Sequence, residues 1–111
     1  MSDRKYNGWT NYETWCVNLW LDNDEGSSDY WRERAREAYE ETNEDDDADT
    51  RRDEAAEALR GELESAHDDM LDELAPSING TVFSDLMRAS LSEVNWGEIA
   101  CHFVESIMED A

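Results

Sequence analysis

Thirty Asp and Glu against nine Lys and Arg leave this chain with a formal charge of -21, and any fold it adopts must hold that charge together. Spread over 111 residues, the charge pushes the compact state apart, repels DNA, RNA and anionic membranes, and attracts cations and basic proteins. A grip on nucleic acid through phosphates needs clustered Lys and Arg, so neither a direct nucleic-acid partner nor a membrane partner is expected. Core material is thin as well. Leu, Ile, Val and Phe together number 17, a share that beside so much charge is typical of disordered chains. Five Trp, four Tyr and four Met pull the other way, since one Trp buries on the order of 200 Å². The expectation is one thinly cored domain over 1–111, more stable as salt screens its self-repulsion.

Apolar spacing predicts helices almost throughout. Thr10-Asn11-Tyr12-Glu13 reads as a capping box in which Thr10 and Glu13 satisfy each other's free backbone donors. Behind it Tyr12, Trp15, Cys16, Leu19 and Trp20 form one helical stripe, expected to face the core. Asp22-Asn23-Asp24-Glu25-Gly26 breaks the pattern, with Gly26 suited to a left-handed stop. Ser27 or Ser28 then caps a second helix with Trp31, Ala35, Ala38 and Tyr39 inward. Residues 43–50 form an acidic loop or linker. A third helix is predicted from near Thr50 to just before Pro76, its narrow stripe being Ala56, Leu59, Leu63, Ala66, Met70 and Leu74. That stripe is a candidate seam for a homodimer, since a small domain gains core by doubling. Asn79-Gly80 makes a turn, and the sequon Asn79-Gly80-Thr81 is incidental to it. A fourth helix follows with Phe83, Leu86, Met87 and Leu91 inward. Asn95, with Glu98 as box partner, caps a fifth helix whose apolar face is Trp96, Ile99, Ala100, Phe103 and Ile107. The fold class is all-α, a small four- to five-helix bundle with an aromatic-rich core and an acidic surface. Strand near Tyr6 and Trp9 is the one competing possibility.

Eight of the eleven aromatics lie within the first 39 residues. Such a cluster serves as a stacking platform, as a protein-binding hot spot, or as a core where aliphatics are scarce. The helical spacing favours the core, leaving Tyr6 and Trp9, which lie off the stripe, as candidates for exposure. Arg32, Arg34 and Arg36 beside Trp31 resemble a single-strand binding signature, but Glu33, Glu37, Glu40 and Glu41 are placed to pair with them. Counting Asp22 as position 1 puts Asp24 at 3 and Glu33 at 12 of a calcium loop. The sharp-turn Gly then falls one position early, and a helix stop followed by a helix start explains the same residues.

Cys16 and Cys101 are isolated thiols on apolar faces, read as small hydrophobes rather than as a bridge between first and last helices. His67 and His102 have no nucleophile beside them, and no phosphate loop, glycine fingerprint or zinc motif occurs. No enzyme and no cofactor is expected. No run approaches 18 apolar residues.

The run Tyr6-Asn7-Gly8-Trp9-Thr10-Asn11-Tyr12-Glu13-Thr14-Trp15, then Leu19-Trp20 and Asp22-Asn23-Asp24-Glu25-Gly26, resembles a family of small uncharacterised proteins encoded by bacteriophages, archaeal viruses and plasmids. The resemblance covers roughly residues 6–36 and resumes at Asn95-Trp96-Gly97-Glu98-Ile99-Ala100. It departs at Cys16, where relatives often carry Asn. It implies a mobile-element setting in the cytoplasm of a prokaryotic host, and no chemistry.

Joined to that setting, the charge suggests imitation of nucleic acid toward a host defence protein with a basic surface. At one charge per about 1.7 Å of duplex, 21 charges correspond to roughly 36 Å, about ten base pairs. The loop acids Asp22, Asp24, Glu25, Asp45, Asp46, Asp47 and Asp49 are the candidates for such contacts, with Tyr6 and Trp9 as aromatic candidates. Adaptation to molar salt explains the charge equally directly. Eight Arg beside the single Lys5 favour it, because mimicry gives no reason to avoid Lys.

Overall fold

A computed structural model describes residues 6–78 and 80–110, and over them the chain is all-α. Five helices follow in order: α1 (Tyr12–Asn23), α2 (Glu25–Glu40), α3 (Ala48–Ile78), α4 (Val82–Ser92) and α5 (Trp96–Asp110). The last is the hub. It packs chiefly on α3 and α2, α1 lies across α2 and α5, and α4 rests on α3.

The spacing in α2, α3 and α5 dictates this core. Ala35 and Ala38 of α2, and Ala55 and Ala56 of α3, are buried small side chains that let their helices approach α5 closely. Leu59 and Leu63 from α3 meet Ile99, Phe103 and Val104 from α5 at the centre. Trp31 and Trp96 are buried, whereas Trp20 is not. Among the described helices none is long and apolar enough to cross a membrane.

Several helix boundaries differ from those expected. The helix α1 is capped by Asn11, whose Oδ1 accepts from the Thr14 amide at 2.9 Å, and not by a Thr10–Glu13 box. Asp24 alone joins α1 to α2. Its carboxylate accepts from the Ser27 amide at 3.0 Å and hydroxyl at 2.6 Å, so Asp24 is the cap and neither Ser27 nor Ser28 is. Gly26 is accordingly helical and stops nothing. Asp47 caps α3 through the Thr50 amide at 2.8 Å, which draws the last part of the acidic loop into helix. At its other end α3 runs through Pro76 and stops two residues later. Gly80, at φ 81°, takes the left-handed turn; Asn79 lies outside the described residues, as does Lys5.

Tyr6 and Trp9 form an isolated bridge and no strand. Each amide donates to the other's carbonyl at 2.8 Å across Asn7 and Gly8, both at positive φ. An Asn-Gly pair suits that two-residue turn because neither residue resists the left-handed region strongly.

The fourth helix corrects another expectation. Phe83 is 62% exposed, and Leu86 and Met87 are exposed too, while Ser84 is the buried residue. The cause is placement: α4 rests on α3, and only Leu91 near its end reaches the main core. Along α3 the expected stripe is buried as far as Leu63, so the proposed dimer seam is filled by α5. Its far end, Met70 and Leu74, stays exposed.

Candidate interaction surface

The phase of α1 is set by a polar clasp at its first turn. Thr14 is fully buried, and its Oγ1 accepts from the Asn95 amide at 2.8 Å while donating to Asn11 Oδ1 at 2.6 Å. Asn11 Nδ2 donates to the Glu93 carbonyl at 2.7 Å, and the Thr10 amide donates to Glu98 Oε1 at 3.0 Å. Asn95 caps α5 as expected, its Oδ1 accepting from the Glu98 amide at 3.1 Å. The Glu98 carboxylate, however, reaches across to Thr10 instead of closing a box on its own helix. These bonds tie α1 to α5 across more than 80 positions of sequence.

The clasp turns Thr14, Val17, Asn18 and Leu21 toward the core. Asn18 is buried, with Nδ2 donating to Asp22 Oδ2 at 2.9 Å and Oδ1 lacking a partner among the described residues. A helix that buries Thr and Asn this way sends its apolar stripe outward. The core-facing expectation for Tyr12, Leu19 and Trp20 is therefore overturned: Trp20 is 71% exposed, Tyr12 51%, and Leu19 is exposed as well. Trp15 and Cys16 are half-buried.

Tyr6 folds back over this face. Its ring lies 5.2 Å from Tyr12 and 4.9 Å from Trp15, and those two lie 5.7 Å apart. Tyr6, Tyr12, Leu19 and Trp20 together leave roughly 400 Å² exposed at about 200 Å² per full side chain. The largest apolar patch of a monomer is commonly about 300–600 Å² and is often functional. Tyr6 is exposed as expected, whereas Trp9 is half-buried against the core with its ring 5.5 Å from His102. The neighbouring Cys16 side chain holds the Tyr12 hydroxyl above its ordinary pKa.

The candidate acids fall into two groups. Asp22, Asp24 and Glu25 surround the α1–α2 junction, next in sequence to Trp20. Asp22 Oδ2 lies 3.2 Å from His102 Nε2, and Asp24 is the α2 cap. Asp45, Asp46, Asp47 and Asp49 stand at the start of α3, where Asp49 pairs with Arg52 at 3.5 Å. The 16 residues of α2 separate the groups by about 24 Å, so they form two acidic ends rather than one cluster.

Two of these acids serve as caps, and their pKa shifts say so. The Ser27 hydroxyl and amide lower Asp24, and the Thr50 amide and hydroxyl lower Asp47. A carboxylate held below its unfolded pKa stabilises the fold above that unfolded value, near pH 4, and loses the contribution as pH falls through the folded value. Asp24→Ala is therefore expected to melt below Asp45→Ala, which removes the same charge without touching a cap. The gap between their melting temperatures is expected near pH 7 and narrows as pH falls below about 4 and through the folded value.

The arginines beside Trp31 are engaged. Arg34 Nε and Nη2 meet Glu62 Oε1 and Oε2 at 2.7 and 2.9 Å, a bidentate link from α2 to α3, and Arg34 also contacts Glu37. The Glu62 hydrogen bonds raise the Arg34 pKa. Arg36 pairs with Glu33 at 2.7 Å. The calcium-loop alternative fails on backbone shape, because residues from Glu25 through Glu33 are helical and cannot wrap an ion. Cys16 and Cys101 are both free and half-buried. Burial, then the neighbouring Glu105, pushes the Cys101 thiol up and away from reactivity.

Sequence reading missed the outward face of α1, although Thr14 and Asn18, at helical spacing with Leu21, were a visible second stripe. Over residues 2–111 the chain matches the family of unknown function DUF7249, and it belongs to that family. No curated protein and no solved structure matches it.

Proposed function

We propose that this DUF7249 member is a small acidic, non-enzymatic accessory protein that binds a basic partner protein, with the aromatic face of α1 as its anchor. The observation that carries this reading is the inverted helix: α1 buries Thr14 and Asn18 and turns Tyr12, Leu19 and Trp20 to solvent. Interface hot spots are enriched in Trp and Tyr, and exposed carboxylates at 22–25 beside Trp20 supply a steering rim. The resemblance of residues 6–36 and 95–100 to proteins of phages, archaeal viruses and plasmids supports a host protein as the partner, in the cytoplasm of a prokaryotic cell. Imitation of nucleic acid by the two acidic ends, directed at host defence, is the narrowest form of this proposal. Their separation of about 24 Å fits within the roughly 36 Å of duplex that carries an equal charge.

Affinity capture from the cell that carries the gene tests the reading. One basic protein is expected with the native chain, with recovery falling about tenfold for Tyr12→Ser, Trp20→Ser, a loss equal to about 1.4 kcal/mol. Under mimicry, changing Asp22, Asp24, Asp45, Asp46, Asp47 and Asp49 to Asn abolishes capture, and duplex DNA competes for the partner. Asn keeps the capping ability of Asp, so the helices persist in that variant. Equal recovery with native chain and the α1 variant contradicts the proposal.

A second reading is that the acidity is salt adaptation in an interaction module. Eight Arg to one Lys favour it. It predicts helix and a cooperative melt only in molar potassium chloride, with capture indifferent to the Asp→Asn changes. A protein fully helical at tens of millimolar salt excludes it.

A further inference from the structure

A second apolar surface lies between the C-terminal half of α3 and α4, and it stands apart from the reading of α1. Met70 and Leu74 of α3 and Leu86 and Met87 of α4 are exposed and line a groove of about 360 Å³, with Leu71 and Leu91 more deeply set. Val82 and Phe83, each 62% exposed, extend the apolar surface along α4. At about 200 Å² per full side chain, these six exposed residues present roughly 600 Å². That is the upper end of what a monomer leaves uncovered, and it approaches the ~800 Å² each partner gives to a standard interface.

Shape and charge both narrow the occupant. Two helices with apolar residues one turn apart make a trough that takes the apolar stripe of a third helix. Methionine on both walls lets the trough adapt to different side chains. Asp68, Asp69, Asp72 and Glu73 of α3 and Asp85 of α4 are exposed on the same two segments and outnumber Arg88, the one exposed cation there among the described residues. Bringing a second copy of this -21 chain against that surface sets like charges together, whereas Lys and Arg are drawn to it.

We propose that the α3–α4 groove receives the apolar face of a basic amphipathic helix from a partner protein. Met70, Leu74, Leu86 and Met87 hold its apolar side chains, and the negative field of the surrounding chain draws its Lys and Arg.

The probe is a synthetic helix of Leu and Lys, about 18 residues or five turns long, with Leu at helical spacing. It is titrated into full-length protein carrying labelled methionine methyls, at a salt concentration where the far-UV spectrum is that of the folded chain. The Met70 and Met87 methyls are expected to shift while Met108, packed against the core, does not. Leu74→Glu and Leu86→Glu, both at exposed positions, are each expected to keep the helical spectrum and weaken binding about tenfold. Trp20→Ser is expected to bind as the native chain does, which separates failure here from failure of the α1 reading. A peptide of the same composition in scrambled order is expected to bind about tenfold more weakly. Equal binding of the scrambled peptide, or binding unaffected by both Glu variants, reduces the interaction to bulk charge and overturns the proposal. So does a dimer by sedimentation in which Met70 and Met87 are covered without peptide, since the groove is then a contact between copies.

Discussion

Leu59→Ala is expected to lose about 3 kcal/mol of folding stability, while Trp20→Ser changes it by no more than about 0.5 kcal/mol. Leu59 is fully buried where α3 meets α5, and truncating it removes transfer energy and leaves a cavity that close-packed neighbours fill only in part. Domains of this size hold about 5–15 kcal/mol in all, and a core with few large aliphatics belongs at the low end. The loss therefore lowers the melting temperature by roughly 12 °C or more. Trp20 is the larger side chain, and size alone ranks it as the costlier one to remove. Its 71% exposure reverses that order. Thermal and urea unfolding of the two variants, in the same salt, measures the contrast.

Thr14→Val is expected to cost about 2 kcal/mol, although it keeps the shape and burial of the side chain. Valine leaves the Asn95 amide without the 2.8 Å acceptor it has in the native fold and takes one donor from Asn11. The bond is partly buried, so a donor left there without a partner costs more than the hydrogen bond contributed. Hydrogen exchange at the Asn95 amide is expected to accelerate in the valine variant, and Thr14→Ser, which keeps the hydroxyl, to restore much of the protection. An unchanged melting temperature in Thr14→Val contradicts the role given to the clasp.

Where local pattern and tertiary packing agree, the sequence was readable. Trp31, Ala35 and Ala38, then Leu59 and Leu63, then Ile99, Ala100, Phe103 and Ile107 recur at helical spacing and are the buried faces. Boundaries were less so, because candidate caps crowd together: Thr10 beside Asn11, Asp24 before Ser27 and Ser28, Asp47 before Thr50. Which one caps depends on where the previous helix stops. The turn at Asn7-Gly8 was missed, with strand weighed there instead, although an Asn-Gly pair between Tyr6 and Trp9 is a turn signal.

The phase of α1 was not legible locally. Its strongest apolar stripe faces water because Thr10, Asn11 and Thr14 find partners at Glu93, Asn95 and Glu98, contacts no short window contains. The same limit applies to α4, whose amphipathic pattern is real but whose apolar face meets solvent. A periodic apolar stripe identifies a helix; it does not say whether the chain itself supplies the surface that covers it. Of the candidate site residues, Asp24 and Asp47 proved to be caps and Trp9 a partly buried core contact, while Tyr6 joined the exposed face.

Everything proposed for α1 depends on which way that helix faces, and fluorine NMR of the protein carrying 5-fluorotryptophan reads this directly. Single substitutions assign the five tryptophan signals. With a soluble paramagnetic agent added, the Trp20 signal is expected to broaden first and most, with Trp31 and Trp96 protected. A Trp20 signal as protected as that of Trp31 means the aromatic stripe faces the core, and the α1 surface proposed for binding does not exist.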